Sequence, residues 1–325
     1  MSQRNLILVH RGQDYVQDFD EIAGKVNALD RGITVYHLPA ALNADLPHGA
    51  WQHPTLTVSL SSKFRVPVRR GPILSNRPIG KLDQQDTFRR NGVPTPPALP
   101  YRPGVKLDPI LFGEFVVLKP IDLRMTSKGI GVKLFRRRTL ENMSGQQFAS
   151  VMPPGEYLVQ RYVDTGAQFK WFRVCTFLGS PLYSFFATSK MVRPPLTASD
   201  EALFEAVIAS NFMTDQHMQM YAPPQVIGMA RQAHKAFPHI PLLGLDILVE
   251  ERTGRLFVLE CNAGGNTWHF SSEVAHEWRA AYGRQVPEPS HLDAERRGRF
   301  FLMDQFGAFD VAAFALARAV KELAS

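Results

Sequence analysis

Two carboxylates stand in strands that are otherwise apolar. Leu242-Leu243-Gly244-Leu245-Asp246-Ile247-Leu248-Val249 is interrupted only by Asp246, and Leu256-Phe257-Val258-Leu259-Glu260-Cys261-Asn262 is interrupted by Glu260 in the same way. A buried carboxylate is unfavourable unless it is paired or bound to a cation. Side chains alternate faces along a strand, so Glu260 and Asn262 point the same way. Reading Arg252-Thr253-Gly254 as a three-residue hairpin loop, with glycine in the last position, sets Glu251 opposite Arg255 and Asp246 opposite Glu260. Asp246, Glu260 and Asn262 then converge. Two carboxylates and an amide oxygen are hard ligands, suited to magnesium held jointly with nucleotide phosphates. A two-residue loop would instead shift the register by one and leave an ordinary amphipathic hairpin.

Three further segments carry chemistry. Phe115-Val116-Val117-Leu118-Lys119-Pro120 ends an apolar strand on a lysine, which can reach into a cleft and hold a phosphate as a point charge. Thr126-Ser127-Lys128-Gly129-Ile130-Gly131-Val132 follows, and such a loop exposes backbone N–H groups that can cover phosphates. A solvated strand end and a plain turn are the alternative for this pair. Glu156 to Val163 reads as a strand running into a connector, offering backbone groups and the Gln160 amide to an adenine edge, or else simply a buried strand. Arg173, among apolar and aromatic neighbours, needs an anionic partner: a phosphate, a substrate carboxylate, or a structural Asp or Glu.

The elements that position these residues follow from apolar periodicity. Leu6 to Val9, Ile33 to Leu38 and Thr55 to Leu60 read as strands, and Tyr15 to Leu29 as a helix whose Phe19, Ile22, Val26 and Leu29 make one stripe. That alternation predicts a small α/β domain with a parallel sheet. No Gly-x-Gly-x-x-Gly follows the first strand, which disfavours a dinucleotide site. Lys81 to Arg90 reads as a helix closed by Asn91-Gly92, and the prolines from Pro94 to Pro103 as a rigid surface connection. Glu114 to Lys119, Gly131 to Phe135, Gly155 to Tyr162, Phe169 to Phe177 and Leu182 to Thr188 are strands; Asp200 to Ser210, Pro224 to Phe237 and Asp310 to Leu323 are helices. In the last, Asp310 is the expected N-cap, and Val311, Phe314, Ala315 and Ala319 the buried face.

Composition sets the bounds. At 325 residues, 45% hydrophobic and 21% charged, the chain suits a soluble protein of two or three domains or subdomains. No apolar run approaches the roughly 18 residues needed to cross a bilayer. Two cysteines, Cys175 and Cys261, make neither a disulfide framework nor a zinc site, and a reducing cytoplasm fits best. The net charge of +7 is scattered, with Arg136-Arg137-Arg138 its densest run, and suits a protein that handles polyphosphates better than one that binds nucleic acid. Met213, Met218, Met220 and Tyr221 read as core or interface, and His269 and His276 as structural.

In their order (strand lysine, glycine-rich hairpin, strand and connector, acidic hairpin ending Glu-x-Asn) these segments resemble the ATP-grasp superfamily, from about residue 80 to residue 267. The nearest flavour is the carboxylate–amine ligases, such as ribosomal-protein glutamate ligases, glutathione synthetases and D-alanine–D-alanine ligases. The resemblance implies a mixed α+β fold: an N-terminal α/β domain (1–78), a lid subdomain (79–162) and a C-terminal subdomain (163–325), the last two clasping ATP. It implies that Lys81 and Lys119 are the nucleotide lysines, and that Ser127, Lys128, Gly129 and Gly131 belong to the loop over the phosphates. Gln160, Arg161 and Val163 would hold adenine, Asp246, Glu260 and Asn262 would hold Mg2+, and Arg173 with Lys119 would be catalytic. ATP would convert a carboxylate to an acyl phosphate, which an amine then displaces. Substrates would be small-molecule or peptide carboxylates and amines, with no nucleic acid and no membrane as partner and a homodimer left open. A kinase outcome and a non-catalytic ATP-binding regulator are the alternatives. The departures are Gln160 where many members carry Glu, Trp171 where an Asp is expected, Cys261 for an aliphatic residue, and Gly244 where the D-alanine ligases place an arginine. In addition, Ala263-Gly264-Gly265-Asn266-Thr267 lacks the common Pro-Gly.

Overall fold

The computed structural model describes residues 3–10, 16–40, 46–62, 68–121, 131–208, 216–264 and 308–325. Strands β1 (Arg4–His10), β2 (Ile33–Pro39), β3 (Thr55–Ser59) and β4 (Ile73–Ser75) form a parallel sheet in the order β2-β1-β3-β4. Leu6 and Leu8 face helix α1 (Val16–Leu29), while Ile7 and Val9 pack with Leu38 and Ala40 on the other side. Covering both faces is what makes such a strand apolar without alternation. Phe19, Ile22 and Val26 of α1 are buried as the periodicity predicts, but Leu29, the last helical residue, is exposed.

Helix α2 (Lys81–Arg90) spans the predicted residues. The prolines after it do more than connect. Residues 98–100 form a strand, β5 (Ala98–Pro100), at the edge of a second sheet, where a missing N–H is tolerated. Helix α3 (Pro109–Phe112), strands β6 (Phe115–Pro120) and β7 (Lys133–Arg136), helices α4 (Arg137–Asn142) and α5 (Gly145–Val151) and strand β8 (Tyr157–Arg161) complete this unit. The sheet is antiparallel, in the order β5-β8-β6-β7. Val116, Leu118 and Val159 point to the helices with Phe112, Leu140 and Met152, leaving Val117, Lys119 and Gln160 on the opposite face.

The third sheet contains β9 (Gln168–Phe177), β10 (Ser180–Val192), β11 (Gln216–Met220), β12 (Leu242–Val249) and β13 (Leu256–Ala263), in the order β11-β10-β9-β12-β13. Between them lie helices α6 (Asp200–Glu205) and α7 (Pro224–Lys235). Helix α6 stops at Glu205 rather than Ser210, because the backbone turns extended at Ala206 (ψ 133°). Phe172, Val174, Leu243, Leu245, Ile247, Val258 and Cys261 face α7 and bury Val226, Ala230 and Ala233.

Two helices pack away from their chain neighbours. Phe88 of α2 joins the core beneath α7, meeting Phe237 edge-on at 5.2 Å. The C-terminal helix α8 (Ala308–Leu323) returns to the first sheet and lies against α1. Its buried face is Ala312, Ala313, Ala315, Leu316, Ala319 and Val320, so Ala315 and Ala319 fall where expected and Phe314 does not, being 59% exposed. Asp310 lies inside the helix, not at its N-cap, and pairs with Lys25 at 2.6 Å.

Candidate active site

The acidic hairpin brings Asp246 opposite Glu260, by a different route from the predicted one. The turn is one residue longer: Glu250 N–H donates to the Arg255 carbonyl at 2.9 Å, and Gly254, at φ +67°, donates back to the Glu250 carbonyl at 2.8 Å. From there the ladder runs Val249–Leu256, Leu248–Phe257 and Ile247–Val258. A β-bulge then inserts Leu259 and restores the register at Asp246–Glu260. A bulge sets two residues opposite one. Here it lets Leu259 and Glu260, consecutive in sequence, both line the same cleft.

Across the sheet, Arg173 pairs with Asp246 and Asp246 with Glu260, one cation and two carboxylates in a row on neighbouring strands. The next row is Cys175, Gly244 and Asn262, which sets the exposed Asn262 diagonally from Asp246, its amide nitrogen 3.5 Å from Oδ2. The guanidinium of Arg173 grips Asp246 with two bonds, Nε–Oδ1 at 2.5 Å and Nη2–Oδ2 at 3.0 Å. Its anionic partner is therefore a structural carboxylate of the protein. Burial works against the charge of Arg173, but Asp246 outweighs it and holds the group above its usual range.

Two lysines face this row. Lys119, at the end of β6, is fixed by Gln160 (Nζ–Oε1 2.7 Å), and Lys81, at the start of α2, reaches the Pro120 carbonyl at 3.4 Å. Gly131 turns at φ +75° into β7. Ser127, Lys128 and Gly129 lie outside the described residues, as do Met213, His269 and His276. Arg161 pairs with Glu250 at 2.5 Å and Val163 is buried at the mouth of the connector.

Between the second and third sheets these side chains line a cleft open to solvent. It has two unlike ends. One end is made by Lys81, Lys119, Asp246 and Glu260, with Gln160 bonded to Lys119; the other walls are Val117, Val132, Tyr162, Val163, Phe169, Trp171, Ile208, Leu248 and Leu259, with Arg161 paired to Glu250 beside them. Phe169 and Trp171 stack on each other at 5.1 Å among these apolar walls. Of these apolar walls only Val163 is among the site residues expected from the sequence. Phe169 and Trp171 share the alternating face of Arg173, and Leu248 that of Asp246, so strand alternation was signal enough for those three. Leu259 reaches the cleft only through the bulge, and Ile208 only because α6 ends early.

The charged end is electrostatically unbalanced as it stands. Burial pushes the Asp246 carboxyl up to about 6, opposed by Arg173 and reinforced by Glu260. Burial pushes Lys119 down to about 8, with Lys81 adding to the shift and Glu260 and Asp246 opposing it. Lys81 is also lowered by burial, against Glu260. Each group is held away from its charged form by the same low-dielectric surroundings. An anion beside the lysines and a cation beside the carboxylates would restore both. Burial also raises the Cys261 thiol and lowers His234 to about 4, and both lie on the face of the sheet away from the cleft.

No protein-family model and no curated protein sequence matches this chain. Solved structures similar to it include a D-alanine–D-alanine ligase from Bacillus anthracis complexed with ATP, at 14% identity and a TM-score of 0.42 over 99% of each chain. The macrocyclase MdnC from Microcystis aeruginosa MRC, bound with the precursor peptide MdnA, is similar at 12% identity and a TM-score of 0.48, covering 98% of this chain and 99% of its own. The ATP-grasp ligase PsnB, complexed with a phosphomimetic variant of its minimal precursor, Mg and ADP, is similar at 12% identity and 0.46, covering 82% and 91%. At these scores the likeness is distant, and the side chains of the cleft carry the functional reading.

Proposed function

We propose that this chain is an ATP- and magnesium-dependent ligase of the ATP-grasp kind, activating a carboxylate and joining it to an amine. The observation that carries the proposal is the two-ended cleft. An apolar slot with aromatic walls suits a purine ring, and beside it two lysines face two carboxylates. The donors fit both groups. Lysine ammonium groups suit phosphates, and the oxygens of Asp246, Glu260 and Asn262 suit magnesium. Phosphates brought in alone would leave the charged end in negative excess, which a divalent cation offsets. When bound, ATP supplies the phosphoryl group that activates the carboxylate, and magnesium neutralises the phosphates.

The residues of the chain position and neutralise. Gln160 holds the Lys119 ammonium in place, and Lys81 approaches the same strand end from α2. Arg173 orients Asp246, and its place in the acidic row gives it a second role as a fixed cation behind developing negative charge. Arg161 and Val163 border the base end of the slot. Ser127, Lys128, Gly129 and Gly131 are assigned to the loop that closes over the phosphates. Residues 79–162 are assigned to the lid and 163–325 to the platform, with 1–78 ahead of them, save that α2 packs with the third sheet and the C-terminal helix with the first. No protein nucleophile is needed, and among the described residues lining the cleft there is neither serine nor cysteine.

The test is substrate dependence. Purified protein supplied with Mg-ATP should release ADP and free phosphate only when both a carboxylate and an amine acceptor are present. Phosphate retained on one substrate would make the protein a kinase. Tight Mg-ATP binding with no turnover across a broad carboxylate and amine panel would make it a regulator.

A further inference from the structure

The two peptide groups that flank Glu260 are each held by a glutamine of α2. On one side Gln85 Nε2 donates to the Leu259 carbonyl at 3.0 Å, and on the other the Cys261 N–H donates to Gln84 Oε1 at 2.9 Å. Neither glutamine is left half-satisfied. Gln84 Nε2 donates to the Ile79 carbonyl at 3.0 Å, while the Thr95 hydroxyl bonds Gln85 Oε1 and, at 3.0 Å, the Val258 carbonyl. Both glutamines are buried, at 6% and 8% exposure.

This arrangement is costly for mere packing. A leucine at either position would fill the same space without burying an amide. What the amides accomplish is specific to β13. It is the edge strand of its sheet, and its bulge breaks the regular ladder at the residue before Glu260. Outward-facing N–H and C=O groups on such an edge must find partners. The glutamines supply them on either side of one residue, and so fix the backbone torsions that aim its side chain. Lys81 lies on the same helix, one turn earlier.

We infer that Gln84 and Gln85 are positioning residues for the Glu260 carboxylate, holding it against Asp246 and thereby setting the affinity of the acidic row for a divalent cation. The inference rests on the magnesium reading of that row. It assigns to α2 two duties, presenting the Lys81 ammonium and fixing the opposing carboxylate.

Manganese serves as the probe, measured by the electron paramagnetic resonance signal of free Mn(II) with protein and ATP present. Gln84→Met and Gln85→Met keep chain length and apolar volume while removing the amide. Each should raise the manganese Kd about tenfold, corresponding to loss of one well-placed interaction. ATP affinity without metal, read by tryptophan fluorescence, should change by less than about twofold, because both lysines and the slot remain. Thr95→Val leaves both glutamines in place and should weaken manganese in the same direction by a smaller factor, and it decides the matter if the methionine variants do not fold. Unchanged manganese affinity in folded variants would overturn the inference. So would an equal loss of metal-free ATP affinity, since that marks a general loosening of α2. Failure of the unaltered protein to bind manganese with ATP would instead remove the magnesium reading itself, and this inference with it.

Discussion

Removing Asp246 does two different things, because its carboxylate faces both Arg173 and the cleft. In Asp246→Ala a buried guanidinium loses its partner, and breaking a buried pair by deleting one member typically costs about 3–5 kcal/mol. Among the described residues Glu260 makes no such pair, and its charge opposes that of Asp246 while offsetting those of Lys81 and Lys119. Glu260→Gln should therefore destabilise less than Asp246→Ala, by about 1 kcal/mol or under. Both variants should lose magnesium-dependent turnover. Thermal melts run beside activity assays check this, and equal destabilisation, or activity surviving in either, would contradict the assignment. A second consequence concerns pH. The Asp246 carboxyl is raised from 3.8 to about 6, so its own contribution to stability falls as pH rises across that window, while His234, lowered from 6.5 to about 4, contributes the opposite slope over nearly the same range. Lys119 is lowered from 10.5 to about 8, so above pH 8 the unfolded chain binds the extra proton and stability rises with pH. In urea melts above pH 8, Lys119→Met should show a less positive slope than the unaltered protein, the remaining slope being set by Lys81, which burial lowers as well, and by the Cys261 thiol, which burial raises. At this scale the charged residues were legible in the sequence, because Asp246, Glu260, Lys119 and Arg173 each interrupt an apolar strand. That Arg173 belongs to Asp246 was not legible, since it depends on β9 lying beside β12.

The hairpin shows how a correct pairing can follow from an incorrect turn. A three-residue loop with a regular ladder and a four-residue turn with one bulge both set Asp246 against Glu260. They differ in what else they place, since only the bulge brings Leu259 into the cleft. Gly254 makes the longer turn possible, in the left-handed region at φ +67°. Gly254→Ala should destabilise by about 1 kcal/mol through that torsion alone, and leave ATP and manganese affinity unchanged, since nothing lies within 4 Å of an added Cβ. Chemical denaturation beside ligand titration checks it; altered manganese affinity would mean the turn, and not the bulge, sets the metal register. Elements with strong periodicity were legible to within a few residues, α2 and β12 among them. The short strands β4, β5 and β11 were not. All three are edges, and Ala98-Leu99-Pro100 carries a proline that argues against a strand until its edge position is known.

For the whole molecule, the cleft depends on sheets from separate stretches of chain meeting face to face, joined by the connector after β8. That connector is pinned: Arg193 donates to the Tyr162 hydroxyl at 3.0 Å and to Asp164 at 2.6 Å, and Glu251 N–H donates to the Asp164 carbonyl at 2.8 Å. The far end of the acidic hairpin is thus tied to the connector between the sheets. Such long-range contacts leave no trace in local sequence pattern, nor does the return of α8 to α1. The order of the motifs was legible and suggested a nucleotide clasp; the meeting of its walls from separate sheets and the pinning of the connector appear only in three dimensions. The most direct test of the central claim is a crystal structure with magnesium and a non-hydrolysable ATP analogue. The expected result is the purine against Phe169 and Trp171, the phosphates at Lys81 and Lys119, and magnesium about 2.1 Å from oxygens of Asp246 and Glu260. A nucleotide bound outside this cleft, or a metal that touches neither carboxylate, would contradict it.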